Sequence, residues 1–207
     1  MSEAAPWDEY LLRRELVACI LGSQVRYEMA LDALERLETA GLLADRWWRA
    51  PRDDYEHRLL RLLSGNTRQT RDKWRYRFPN TRAYQLAQAS IALAEKPLSQ
   101  RLLSYPDARI LRRELVKDIA GIGPKQASMF LRNIGNSYDL AILDTHVLSF
   151  MKMQNILSQE HVKVGTLAGY EQTERILKNY ADSLGYPVGY LDWAIWATMR
   201  AARELGL

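Results

Sequence analysis

Lys125 and Asp144 are the two side chains of this sequence whose types and setting could carry covalent chemistry. Lys125 lies in Ile119-Ala120-Gly121-Ile122-Gly123-Pro124-Lys125-Gln126-Ala127-Ser128, where one helix ends, two glycines turn the chain, and Pro124 occupies a position that a first helical turn tolerates. With no Cβ in the way, backbone N–H groups at a helix N-terminus approach a phosphate closely. Gly121, Ile122 and Gly123 therefore form a candidate phosphate-holding hairpin. A ligand-free helical hairpin has the same pattern. Nineteen residues after the lysine comes Asp144, at the end of Asp139-Leu140-Ala141-Ile142-Leu143-Asp144. The run Leu140–Leu143 is apolar and too short for a helix, so it reads as a buried extended connector that delivers Asp144 to the N-cap of the next helix. Capping alone would account for an aspartate there. An amine and a carboxylate on two helix N-termini, joined by a buried connector, would converge on one point, with the amine as nucleophile.

A second cluster concerns a partner. Arg68, Arg71, Lys73, Arg75 and Arg77 precede Arg82 with only Asp72 opposing them, and Trp74, Tyr76 and Phe78 are interleaved. Basic groups beside aromatics suit phosphates and unstacked bases, which makes this stretch a candidate DNA-backbone patch. A solvated helical face whose aromatics point into the core has the same composition.

The run from Gly121 to Val147 resembles the helix-hairpin-helix, glycine/proline-rich loop and aspartate signature of the base-excision DNA glycosylases. Within that superfamily the chain is most similar to the archaeal and bacterial family-2 8-oxoguanine DNA glycosylases. The likeness is carried by Gly121-Ile122-Gly123, Lys125, Ala127-Ser128 and Phe130-Leu131-Arg132-Asn133, then Ala141-Ile142, Asp144 and His146, then Leu191-Asp192 and Ile195-Trp196, with Arg77-Phe78 and Arg82-Ala83 upstream. The resemblance implies a bifunctional DNA glycosylase/AP lyase acting on double-stranded DNA that contains an oxidised or otherwise modified purine of the 8-oxoguanine type. Lys125 would attack the anomeric carbon of the target nucleotide, displace the base and form a Schiff base, from which β-elimination nicks the strand. Asp144 would stabilise the developing positive charge and help activate the amine. Gln24, in Gly22-Ser23-Gln24-Val25, would fill the gap left by the flipped base, and Asp192, Trp193 and Trp196 would line the base pocket, with Trp196 as the stacking surface.

Some of these positions have a plainer reading. Gln24 also fits an ordinary interhelical loop, and the two tryptophans fit the core side of the last helix. The lysine with which family-2 enzymes typically end has no counterpart in Arg203-Glu204-Leu205-Gly206-Leu207, which points to a modified base other than 8-oxoguanine. Proteins of this type also occur in antiphage operons, CBASS-type systems among them, so a different target in that setting is an alternative. A DNA-binding module without turnover is another, against which the Lys125/Asp144 pair argues.

The elements that must position these groups are helices, because the hydrophobic period is close to 3.6 nearly everywhere. Leu11, Leu12, Leu16, Val17, Cys19 and Ile20 form one stripe, and Ala30, Leu31, Leu34 and Leu37 another that Gly41 ends. Further helices are expected over Tyr55–Ser64, from an Asn80-Thr81 cap to Glu95, from Pro106-Asp107 through Val116, and over Tyr170–Leu184 and Tyr190–Glu204. The expected fold is all-α, with two helical subdomains, a helix-hairpin-helix motif and a substrate cleft between them. The expected division is a helical barrel over residues 22–135, with the motif near 112–135, and residues 1–21 packed with 136–207.

Composition narrows the class further. The 207 residues are 47% hydrophobic and 10% aromatic, too apolar for a disordered chain, and 29 Lys+Arg against 25 Asp+Glu leave a net charge of +4. No apolar run approaches the roughly 18 residues of a membrane span, and MSEAAPWDEY has no leader character. A lone cysteine, Cys19, precludes an internal disulfide and the iron–sulfur cluster of the endonuclease III branch. The expectation is a cytoplasmic, nucleoid-associated monomer that needs no metal or other cofactor and has no membrane partner.

Overall fold

Caps and prolines set where the helices begin. The computed structural model describes residues 7–65, 76–157 and 164–205. Among these, every helix is α: α1 (Glu9–Leu21), α2 (Tyr27–Thr39), α3 (Asp45–Trp48), α4 (Arg52–Ser64), α5 (Pro79–Glu95), α6 (Leu98–Ser104), α7 (Ala108–Asp118), α8 (Pro124–Asn133), α9 (Thr145–Met153), α10 (Leu167–Ser183) and α11 (Val188–Glu204). No strand occurs among the described residues. None of their helices is long and apolar enough to cross a membrane. The Asp8 carboxylate caps α1 by accepting from Tyr10 N at 2.8 Å, and Asp107 starts α7 by accepting from Arg109 N and Ile110 N at 2.8 and 3.0 Å. Helix α5 departs from expectation. Its first residue is Pro79, and Asn80-Thr81 lie inside the first turn rather than before it. A proline's fixed φ is already helical and its missing N–H has no partner to lose at that position.

The contacts divide the chain into two units. The first comprises the residues up to Pro106 together with Glu114–Ile122, and the second comprises Asp107–Arg113 and Gly123–Leu207. In the first unit α4 lies along α5, and α1 packs on α2, α5 and α6. Residues 7–21 thus belong with the first unit and not with 136–207, and the expected barrel over 22–135 loses 107–113 and 123–135 to the second unit. Glu9 of α1 accepts from the free N–H groups of Leu98 and Ser99 at the start of α6, at 3.0 and 2.9 Å. Leu12, Leu16, Val17, Cys19 and Ile20 are buried as expected, but Leu11 and Leu31 face outward, one helical step off their stripes. Gly41 closes α2 at φ +67°, with Leu42 N reaching back to Leu37 O at 2.9 Å.

In the second unit Ala141, Leu143, Val147, Met151, Tyr170, Leu177, Ala181, Val188 and Ile195 form one core. Helix α11 enters it at Gly189, whose N–H donates to Tyr138 O at 2.8 Å. A Cβ at 189 would lie 2.7 Å from that oxygen and 3.1 Å from Tyr138 Cα. The obstacle is backbone and cannot rotate away. Gly189→Ala is therefore expected to destabilise the fold by about 1–3 kcal/mol, read as a lower urea midpoint at unchanged slope. An unchanged midpoint would mean that α11 slides freely on the 138 turn.

Candidate active site

The hairpin glycines do different work. Gly121 sits at φ +86°, in the left-handed region that favours glycine, and a Cβ there would come within 3.0–3.1 Å of the Gln85 side chain. Gly123 is extended at φ −94°, ψ 177°, and serves as the N-cap of α8. Only its approach to the movable Gln126 Oε1, at 3.0 Å, is tight. Ile122 between them is buried. Pro124 is the first residue of α8 and Lys125 the second, half-buried in a turn whose N–H groups have no intrahelical carbonyl to bond.

Asp144 is the N-cap of α9. Its carboxylate, half-buried, accepts from Val147 N at 2.8 Å. Both expected catalytic groups thus stand at the N-termini of helices in the second unit, α8 and α9, separated by a turn and the buried connector Leu140–Leu143. Among the described residues no strand pairs with the connector, and side chains bind its amides. Ala141 N donates to Glu174 Oε1 at 2.8 Å, Ile142 N to Asp192 Oδ2 at 2.5 Å, and Leu143 N to the Tyr170 hydroxyl at 3.0 Å. That hydroxyl in turn donates to Ala141 O at 2.8 Å.

Arginines accompany the two carboxylates, Arg112 buried and Arg132 partly exposed. Arg112, 0% exposed, donates to both oxygens of Glu174 at 2.6 and 2.7 Å and to Ser128 Oγ at 3.1 Å. Arg132 donates to Asp192 Oδ1. Burial pushes the Asp192 carboxyl up to about 7, against the pull of Arg132 and the Ile142 N–H, and the nearby Asp144 adds to the rise. Arg112, Arg132, Tyr170 and Glu174 were not singled out as site residues in the sequence.

The expected base-pocket residues separate. Asp192 is 1% exposed with both oxygens occupied, whereas Trp193 and Trp196, 58% and 36% exposed, lie on the outer side of α11. The tryptophans are not core residues; the Arg200 guanidinium stands 5.3 Å from the centre of the Trp196 ring. In the first unit Gln24 is exposed and holds φ +61°, an uncommon conformation for a residue with a side chain. Its loop is fastened by the Tyr76 hydroxyl on Leu21 O and by Arg82 on Ser23 O, both at 2.7 Å. Arg82 also donates to Gln85 Oε1 at 2.6 Å, and Gln85 is the side chain that lies against Gly121. Of the basic patch, Arg77 is exposed and stacks over Phe78 at 4.9 Å, while Arg68, Arg71, Lys73 and Arg75 lie outside the described residues.

Comparison with known proteins adds an independent line. A family model described as 8-oxoguanine DNA glycosylase matches residues 4–186. An 8-oxoguanine DNA glycosylase/AP lyase of Saccharolobus islandicus is 37% identical over 123 residues, which are 59% of this chain and 58% of that protein, so the aligned stretch spans less than two thirds of the relative. The solved structure of the 8-oxoguanine DNA glycosylase of Thermotoga maritima is similar with a TM-score of 0.68 at 29% identity, covering 91% of this chain and 79% of that one. The Methanocaldococcus jannaschii 8-oxoguanine glycosylase/lyase, solved in complex with a 15mer DNA containing 8-oxoguanine, gives 0.66 at 25% identity over 92% and 81%.

Proposed function

The chain belongs to the 8-oxoguanine DNA glycosylase family, and on that footing we propose that it is a DNA glycosylase/AP lyase that removes 8-oxoguanine from double-stranded DNA, rather than the different base to which the missing terminal lysine points. The observation that carries this reading is that Lys125 and Asp144 stand at the starts of α8 and α9, within the stretch that the family model matches.

The chemistry follows from the groups present. The Lys125 amine attacks C1′ of the damaged nucleotide as the N-glycosidic bond breaks, and the base leaves with the bonding electrons and takes up a proton. Asp144 stabilises the positive charge that builds on the sugar. Opening of the sugar ring gives the C1′ iminium, which makes the neighbouring C2′ proton acidic; its loss expels the 3′ phosphate and nicks the strand. The hairpin from Gly121 to Gly123 holds a backbone phosphate, Trp196 offers the flipped base a stacking surface, and Gln24 fills the vacated space. All of these groups come from one chain, so a monomer suffices. No metal or other cofactor is drawn on, and the single cysteine is buried.

The test is single-turnover release of the base from a duplex with one 8-oxoguanine, run beside a preformed abasic duplex and an undamaged one. Release from the first and nicking of the second, with the third intact, is the expected result. Nicking of the abasic duplex without release of 8-oxoguanine would assign a different modified base. Inactivity on both would overturn the reading.

A further inference from the structure

We propose that Asp192 is a positioning residue, which fixes the connector that presents Asp144 and ties that connector to α8, the helix that carries Lys125. The inference rests on the roles given to Lys125 and Asp144 above.

Successive groups along an extended chain point to opposite sides. Accordingly Ala141 and Leu143 donate to Glu174 and Tyr170, both on α10, while Ile142 between them donates to Asp192 on α11. The connector is held from two sides, and Asp192 binds its central amide. Ile142 passes the constraint on directly, because its carbonyl accepts from Asp144 N at 2.9 Å. Two hydrogen bonds therefore lead from the Asp192 carboxylate to the backbone of Asp144. The other oxygen of Asp192 accepts from Arg132, in the last turn of the ten-residue helix whose second residue is Lys125. A helix of that length moves as a rod, so one carboxylate sets both ends of the pair.

The side-chain type argues for position over filling. A buried carboxylate forfeits its hydration, which an apolar residue of similar size would not. No apolar residue, however, can accept from an amide and a guanidinium together. Asparagine accepts with one oxygen and turns an NH₂ toward the remaining donor. Each Asp192 oxygen already accepts one hydrogen bond, and at 1% exposure, with Trp193 and Trp196 on the outer side of the helix, the carboxylate presents almost no surface to a base edge.

Three variants test the proposal: Asp192→Asn, Arg132→Gln, and the two together. In the double variant the asparagine oxygen accepts from Ile142 N and its NH₂ donates to the introduced glutamine oxygen, so the geometry returns without charge. Single-turnover constants are measured on the 8-oxoguanine and abasic duplexes, with duplex affinity and melting temperature alongside. Each single variant is expected to slow both steps by about tenfold to 10²-fold, the scale of a displacement of about 1 Å, with affinity held within about twofold. The double variant is expected to return to within about threefold of the unmodified protein. Unchanged constants at a lower melting temperature would make Asp192 a stabilising group only, and a double variant as slow as Asp192→Asn would point to direct contact with substrate. Either result overturns the proposal. If Asp192→Asn does not fold, the double variant decides by the same criterion. Lys125→Gln is run in parallel: if it still nicks, the catalytic reading itself fails, whereas loss of nicking there with full activity in Asp192→Asn removes the positioning role alone.

Discussion

Lys125→Gln is expected to abolish strand nicking at an abasic site, by about 10³-fold or more, and to eliminate the protein–DNA adduct that borohydride traps. Borohydride reduces a carbon–nitrogen double bond, and only an amine on the protein can form that bond with C1′. Glutamine has no such amine. Its helix propensity is close to that of lysine, and position 125 lies in a first turn whose N-cap, Gly123, and first residue, Pro124, are untouched. Folding should therefore persist and the melting temperature should stay near that of the unmodified chain. Duplex binding should lose at most one phosphate contact, a change of about 0.9 in the slope of log affinity against log salt. The outcome is read by gel: a covalent band for the unmodified chain and none for the variant. A band of equal intensity from the variant would assign the nucleophile to another amine.

Local chemistry made much of this arrangement legible in the sequence. Asp144 announced itself as a cap, the apolar run Leu140–Leu143 as a buried connector too short to be a helix, and Gly123-Pro124 as a helix start; each depends on neighbours a few residues away. Where two local signals competed, the reading slipped. At α5 the rigid Pro79 outranked the side-chain cap that Asn80-Thr81 could have offered. Gly121 and Gly123 look alike in sequence, yet only the first occupies a left-handed conformation. The groups that hold the connector were less accessible still, because Glu174 and Asp192 bind amides 33 and 50 residues away in the chain. A signal for them existed nonetheless. Arg112 shares a helical stripe with Leu115 and Ile119, Glu174 with Tyr170 and Leu177, and Asp192 with Val188 and Ile195, so each charge stands on an otherwise buried apolar face. A charge so placed is seldom left without a partner. Identifying the partner required the fold.

Asp144→Asn is expected to slow base excision by about 10²-fold or more, the scale of losing one positioned electrostatic stabiliser. The difficulty with this position is that the carboxylate caps α9 and is also assigned the stabilisation of the sugar cation, so a disruptive change would confuse stability with chemistry. Asparagine separates the two. Its side-chain oxygen can accept from Val147 N as the carboxylate does at 2.8 Å, and asparagine and aspartate rank alike as N-caps. The charge is lost while the cap is kept. Asp144→Ala loses both and should add a stability cost of about 1 kcal/mol. Melting temperatures should thus follow the order unmodified chain and Asp144→Asn together, Asp144→Ala below, while single-turnover rates should group the two variants together, far below the unmodified chain. Rates for Asp144→Asn within about threefold of the unmodified protein, on a scale where a positioned charge is worth about 10² or more, would reduce Asp144 to a helix cap and leave the cation on the sugar to be stabilised by another group.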